Sequence, residues 1–109
     1  MSEPISTGDL AKMAAAQFVD LVKAVVDVER RLLAIGGELN ADEEAALLDA
    51  GSAQNDLWGI NLYPGKTGDE FIEFDSMINL RPSCGNRSRG IDDPEIRQKV
   101  VDVVRELVR

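Results

Sequence analysis

The arginine-rich segment from Arg81 to Gly90, RPSCGNRSRG, contains the residue types in this chain best suited to chemistry. Arginine presents a rigid fork of N–H donors that matches phosphate and carboxylate groups, and asparagine and serine add neutral donors. The candidate ligand-binding residues are Arg81, Asn86, Arg87, Ser88 and Arg89. The pattern predicts a loop that holds an anionic ligand, such as a nucleotide phosphate, a small carboxylate or an acidic peptide.

A structural role for the same arginines is the alternative. Acidic residues flank the segment on both sides, at Glu73, Asp75, Asp92 and Asp93. In an acidic protein, arginines often pair with such carboxylates and hold a loop in place. The sequence leaves the ligand-binding and structural interpretations open.

The carboxylates suggest a second chemistry. Glu73 and Asp75 share one face of a predicted strand, as Asp27 and Glu29 would if the first hairpin forms. Paired carboxylates can bind Mg²⁺ or Mn²⁺, which would make the protein a metal-dependent phosphohydrolase or nuclease. Alternating acids are also typical of the solvent-facing side of an antiparallel sheet.

The residue inventory excludes several familiar sites. The chain contains no histidine and one cysteine, Cys84, which excludes histidine-dependent triads and cysteine zinc clusters. The sequence Gly65-Lys66-Thr67 imitates the end of a phosphate-binding P-loop. The first glycine of that motif would fall at Ile60, however, and a strand is predicted to follow. No cofactor is expected.

Length and charge limit the class of protein. The 109 residues fit a loose arm at 1–6 and one domain at 7–109. The net charge of −8 argues against nucleic acid or an anionic membrane as a partner. One cysteine, no secretory signal and no apolar run of about 20 residues predict a cytoplasmic protein. A structural or regulatory interaction module, including a homodimer, is a third possible function.

The first half of the chain predicts a helix, a hairpin and a second helix. Apolar residues spaced by three and four from Thr7 onward, among them Phe18, indicate an amphipathic helix that could extend to Val22 and Val25. The segment from Ala24 to Ile35 could continue that helix, but its β-branched residues favour a hairpin that turns near 29–31. Asn40 and Glu43 form a capping-box pattern at the start of a short helix.

The second half predicts another hairpin and a last helix. Strands are expected from Leu57 to Tyr63 and from Phe71 to Arg81, where side chains alternate between apolar and polar. The arginine-rich loop would then follow a central strand. Asp93-Pro94 is typical of a helix start. The apolar stripe of that helix comprises Ile96, Val100, Val103, Val104 and Leu107.

These elements predict an α+β fold. Their order is α-ββ-α-ββ-α, and local strands of this kind favour an antiparallel sheet of two hairpins, covered by helices on one face. The segments GGELNADEEAALLDAGS, DLWGINLYP and IEFDSMINLRPSCGNRSRGIDDPEIR resemble a small prokaryotic family of conserved hypothetical proteins without an assigned activity. The similarity runs from about Val22 to the C-terminus. It implies a compact α+β domain and carries no catalytic role.

Overall fold

A computed structural model describes residues 4–17, 20–37 and 39–108 of the chain. The helices in this part are α1 (Thr7–Gln17), α2 (Asn40–Asp49) and α3 (Pro94–Leu107), and the strands are β1 (Val22–Asp27), β2 (Leu32–Ile35), β3 (Leu57–Leu62) and β4 (Ile72–Glu73). The predicted α+β class and element order are confirmed. Phe18 and residues 1–3 of the predicted arm lie outside the described residues. No described helix has the length and apolar character needed to cross a bilayer.

The four strands form one antiparallel sheet in the order β2-β1-β3-β4. The hairpin predicted within 24–35 is confirmed, and its buried Asp27 holds the turn by accepting hydrogen bonds from the N–H groups of Glu29 and Arg30, each at 2.9 Å. Glu29 therefore lies in the turn, and its predicted place beside Asp27 on a strand is wrong. Val22 and Val25 belong to β1, so the first helix does not reach them.

Helices cover both faces of the sheet. The larger apolar cluster joins α1 and α3 to one face through Leu10, Ala14, Val22, Ala24, Val26, Leu33, Trp58, Ile60, Leu62, Ile91, Val100, Val103, Val104 and Leu107. The smaller cluster joins α2 to the opposite face through Val25, Ala34, Leu47 and Leu57. The prediction that one face alone is covered is wrong. Ala24, Val25 and Val26 are buried in succession. Because successive strand side chains point to opposite faces, β1 is covered on both sides.

The predicted strand over residues 71–81 is wrong beyond Glu73. The chain leaves the sheet and forms two short 3₁₀ turns, at Met77–Asn79 and Pro82–Cys84. Ser76 initiates the first turn by accepting a hydrogen bond from the N–H of Ile78 at 3.4 Å. Because β4 is also the edge strand, the arginine-rich loop does not extend from the centre of the sheet.

Of the two predicted helix starts, the one at Asp93 is confirmed and the capping box at Asn40 is wrong. Asp93 caps α3 as predicted, since its Oδ1 accepts a hydrogen bond from the N–H of Glu95 at 2.8 Å. No capping box forms at α2, because Leu39 occupies the N-cap position and its side chain makes no capping hydrogen bond. The buried Asn40 amide donates instead to the carbonyl of Ala24.

The N-terminal residues that the structure describes contact the end of α3. The N–H of Ile5 donates to the carbonyl of Leu107 at 2.7 Å, and Ile5 pairs with Val108 in a parallel bridge. Half-buried Ile5 also packs against the larger cluster. The ends of the described chain therefore meet beside α3.

Candidate functional site

Arg81 anchors the arginine-rich segment to β3. Its Nε donates to the carbonyl of Ile78 at 3.0 Å, and its Nη2 donates to the carbonyl of Leu57. The guanidinium also lies 4.7 Å from the centre of the Trp58 ring, in cation–π geometry. Desolvation lowers the pKa of Arg81. Most of this side chain is therefore engaged within the protein.

Asn86 shapes the loop from inside. The buried amide Nδ2 donates to the carbonyls of Asn79 at 2.7 Å and Gly90 at 2.9 Å, and the Oδ1 accepts from the N–H of Asp92 at 2.8 Å. The donor and acceptor atoms of the side chain are thus already bonded. Asn86 sets the path of the loop between the turn and α3.

Ser88 and Arg89 also have partners in the protein. The Ser88 hydroxyl donates to Asp92 at 2.6 Å, and this bond, with the backbone N–H of Arg87, lowers the pKa of the Asp92 carboxyl. Arg89 forms an ion pair with Asp75 at 2.8 Å between Nε and Oδ1. The structural alternative, an arginine paired with a flanking carboxylate, is therefore observed for Arg89.

Arg87 differs from the other arginines of the segment. Its side chain is exposed, and no carboxylate of the described residues lies within ion-pair distance of its guanidinium. The structure brings the five predicted site residues into one loop and leaves Arg87 as the one with an available guanidinium there. Their ligand-binding role stays a prediction.

The predicted carboxylate pair is likewise engaged. Glu73 Oε1 accepts hydrogen bonds from Asn61 Nδ2 at 2.8 Å and from the Tyr63 hydroxyl at 2.9 Å, while Asp75 pairs with Arg89. Within the described part of the chain, no group of three or more carboxylate, cysteine or histidine residues is arranged to hold a metal ion. Glu73 and Asp75 therefore have a visible structural role, and the metal-site prediction gains no support from their geometry.

Asn79 makes a contact that sequence reasoning missed. This fully buried residue accepts from the N–H of Gly59 at 2.8 Å and donates to the Gly59 carbonyl at 2.9 Å. Its amide thus pairs with β3 as a neighbouring strand would. A Cβ at Gly59 would lie 2.4 Å from Ser76 Oγ, so the close approach requires glycine. Glycine inside an apolar strand was the available signal for such a contact.

A large cleft lies away from the arginine-rich loop, between the turn at 64–69, β4 and α3. Its volume is about 580 Å³. Apolar side chains line most of it, namely Phe71, Ile72, Phe74, Val101, Val104 and Val108. The aromatic residues and Val108 are half-buried and pack against the larger cluster, so the cleft is continuous with the core.

Two cations flank this cleft. Lys66 Nζ lies 4.6 Å above the Tyr63 ring, and Arg105 is exposed on α3. Among the residues that the structure describes, neither forms an ion pair with a carboxylate. Asp69 also lines the cleft, which leaves an excess of one positive charge. The arrangement can hold a molecule with an apolar body and an anionic group.

Sequence reasoning did not find this cleft. In the sequence, Lys66 was interpreted only as part of a segment that imitates a P-loop. Val101 and Arg105 were not assigned to any motif. Lys66 and Arg105 are far apart in the sequence, and no local pattern links them. Their proximity to one cleft depends on how α3 packs beside β4.

The chain matches one family model, described as a protein of unknown function, DUF5674, over residues 1–107. No significant match was found among curated proteins or among solved structures. The family match covers nearly the whole chain and agrees with the resemblance to a family of conserved hypothetical proteins. The chain therefore belongs to the DUF5674 family of proteins of unknown function.

Proposed function

We propose that the protein is a binding module for a small anionic ligand with an apolar body, held in the cleft between the 64–69 turn, β4 and α3. The observation that carries this proposal is the apolar cleft flanked by Lys66 and Arg105. Its volume of about 580 Å³ lies within the range typical of small-molecule sites. The anionic ligand expected from the sequence is retained, and its place moves from the arginine-rich loop to the cleft.

Two physical effects support binding there. Phe71 and Phe74 are half-exposed within a concave surface, and covering them removes apolar area from water at roughly 25 cal/mol per Å². Lys66 and Arg105 favour a negative group at the rim because no described carboxylate neutralises either of them by ion pairing. The first effect supplies affinity, and the second selects the charge of the ligand.

The test uses 8-anilinonaphthalene-1-sulfonate, a fluorescent probe with an aromatic body and one anionic group. The double variant Lys66→Gln/Arg105→Gln removes both cations and is expected to weaken probe binding about tenfold. The matched control, Arg97→Gln/Lys99→Gln, removes the same charge from exposed positions of α3 outside the cleft and should bind like the wild type.

A second variant tests the apolar part of the site. Val101→Asp places a carboxylate among the lining side chains at a half-buried position, and it should abolish probe binding while the protein unfolds cooperatively. An equal loss of probe affinity in Lys66→Gln/Arg105→Gln and in its control would show that the probe binds elsewhere. Unchanged binding by Val101→Asp would show the same, and either result would overturn the proposal.

A second candidate function is anion binding at Arg87, supported by its exposed guanidinium without a described carboxylate partner. Inorganic phosphate and small carboxylates are suitable probes, because a ligand that binds the native state raises the unfolding midpoint. Arg87→Ala should remove such a shift. Arg89→Ala is unsuitable because it also breaks the ion pair with Asp75.

A further inference from the structure

A second pocket lies between β3, residues 81–86 and the start of α3. Its volume is about 350 Å³, at the lower end of the range typical of small-molecule sites. The lining residues come from distant parts of the sequence and include Trp58, Arg81, Asp92 and Asp93. None of them lines the cleft at β4 and α3, so the two cavities are separate.

Trp58 brings an unsatisfied hydrogen-bond donor to this pocket. The residue is 5 % exposed, and its Nε1 is buried without a hydrogen-bond partner among the described residues. Nearly all buried polar groups in proteins have a partner, and the indole N–H can only donate. Because Trp58 lines the pocket, an acceptor atom held there can supply the missing bond.

Arg81 places a positive charge beside the same indole. Its guanidinium lies 4.7 Å from the centre of the Trp58 ring, and both residues line the pocket. The partners of its Nε and Nη2 are backbone carbonyls, and no carboxylate in the described part of the chain forms an ion pair with it. A donor and a positive charge therefore lie close together, which favours a carboxylate oxygen as the acceptor.

Two carboxylates give the pocket negative charge where α3 begins. Asp92 and Asp93 are exposed, and neither forms an ion pair with a lysine or arginine of the described residues. Hydrogen bonds from the Ser88 hydroxyl and the backbone N–H of Arg87 lower the pKa of Asp92, so it is ionised at neutral pH.

The lining charges select the kind of ligand. Asp92 and Asp93 outweigh Arg81, and the other lining residues include no lysine, arginine, aspartate or glutamate. The carboxylates disfavour a simple anion, and the arginine disfavours a simple cation. A molecule that carries both charges complements both parts of the pocket.

We propose that this pocket binds a small zwitterion with one carboxylate and one ammonium group, as in an amino acid. The carboxylate accepts a hydrogen bond from Trp58 Nε1 and lies beside Arg81. The ammonium group faces Asp92 and Asp93. This binding is separate from that proposed for the cleft and for Arg87, which does not line the pocket.

Intrinsic fluorescence tests the proposal directly, because Trp58 is the only tryptophan of the chain. The probes are glycine, 4-aminobutyrate and 6-aminohexanoate, which differ in the distance between their two charges. Butyrate and butylamine are the controls, since each keeps one of the two charges. At least one zwitterion should change the Trp58 emission and bind about tenfold more tightly than either control.

Calorimetry with the zwitterion that binds most tightly then compares three variants. Trp58→Phe keeps an aromatic ring beside Arg81 but removes the N–H, and it should lower the affinity about tenfold. Asp93→Asn removes one charge, retains a residue suited to the N-cap of α3, and should weaken binding several-fold. The matched control, Glu95→Gln, removes the same charge from an exposed position of α3 outside the pocket and should bind like the wild type.

Four results would overturn the proposal. The first is that no zwitterion binds, in which case the indole N–H meets water alone. The second is that butyrate or butylamine binds as tightly as the zwitterions. The third is equal weakening by Asp93→Asn and Glu95→Gln, and the fourth is unchanged binding by a folded Trp58→Phe. Each of them leaves the cleft proposal unaffected, because that proposal is tested through other residues and another probe.

Discussion

The two faces of the sheet are held by different interactions. On the α1 and α3 face, fourteen buried apolar residues of the described chain form one continuous cluster. On the α2 face, four buried apolar residues are accompanied by buried polar side chains, including Asn40, Glu43, Ser76 and Asn79. Apolar burial is non-directional, whereas hydrogen bonds between buried groups require particular partners. The first face therefore supplies most of the stability, and the second specifies how α2 and the segment after β4 are placed.

The polar network on the α2 face joins three elements. The Ser76 hydroxyl donates to Asn40 Oδ1 at 2.8 Å, and Asn40 Nδ2 donates to the carbonyl of Ala24 at 3.0 Å and to Glu43 Oε1 at 3.1 Å. Burial raises the pKa of Glu43 to about 8, so this carboxyl is largely protonated at neutral pH. The network fixes α2 against β1 with little apolar contact.

The largest expected effect comes from deleting apolar volume on the α3 face. Ile60→Ala, in the centre of β3, should lower the free energy of unfolding by about 4 kcal/mol, because a cavity there is enclosed on all sides. Leu47→Ala removes the apolar anchor of α2 and should cost about 2 kcal/mol, since fewer apolar side chains surround it in the smaller cluster. Urea unfolding measures both changes in the free energy of unfolding. Equal values for the two variants would contradict the difference between the two faces of the sheet.

Loss of a buried amide should have the next largest effect. Asn79→Ala leaves the N–H and carbonyl of Gly59 without their partner inside the protein, and it should cost about 3 kcal/mol in urea unfolding. Asn55→Ala is the matched control. Its side chain is exposed, and its removal should change stability by less than about 0.5 kcal/mol. A similarly small change in Asn79→Ala would contradict the structural role of this side chain.

The last effect concerns the pH dependence of stability. The unfolded Glu43 carboxyl loses its proton near its ordinary pKa of 4.5, while the folded one keeps it to about pH 8. Because the native state binds the extra proton in this window, stability from this group falls as pH rises from 4.5 to 8. Glu43→Gln should remove this fall and be more stable than the wild type above pH 8.

The control for this measurement is Glu44→Gln, which removes a carboxylate from the neighbouring, half-buried position of α2. Its stability should follow the wild type across the same pH range. Thermal unfolding between pH 4 and pH 9 compares the three proteins, and parallel curves for Glu43→Gln and the wild type would argue against a protonated Glu43 in the folded state.

The sequence predicted the elements with strong local signals. The α3 start at Asp93-Pro94, the hairpin of β1 and β2, and the strand β3 were identified because cap residues, β-branched runs and turns act over a few neighbouring residues. The predicted strand from Phe71 to Arg81 failed although its alternation was regular. Buried Asn79 and Ser76 bind β3 and α2 through their side chains, and these contacts replace the backbone ladder.

Taken alone, the sequence determined the fold class, the element order and the acidic character of the chain, because backbone preference, hydrophobic periodicity and composition are local properties. Only the tertiary structure decided that Arg81 stacks on Trp58, that Arg89 pairs with Asp75, and that Lys66 and Arg105 flank one cleft. These relationships join residues from separate elements. They arise when helices pack on a sheet, and spacing along the chain does not encode them.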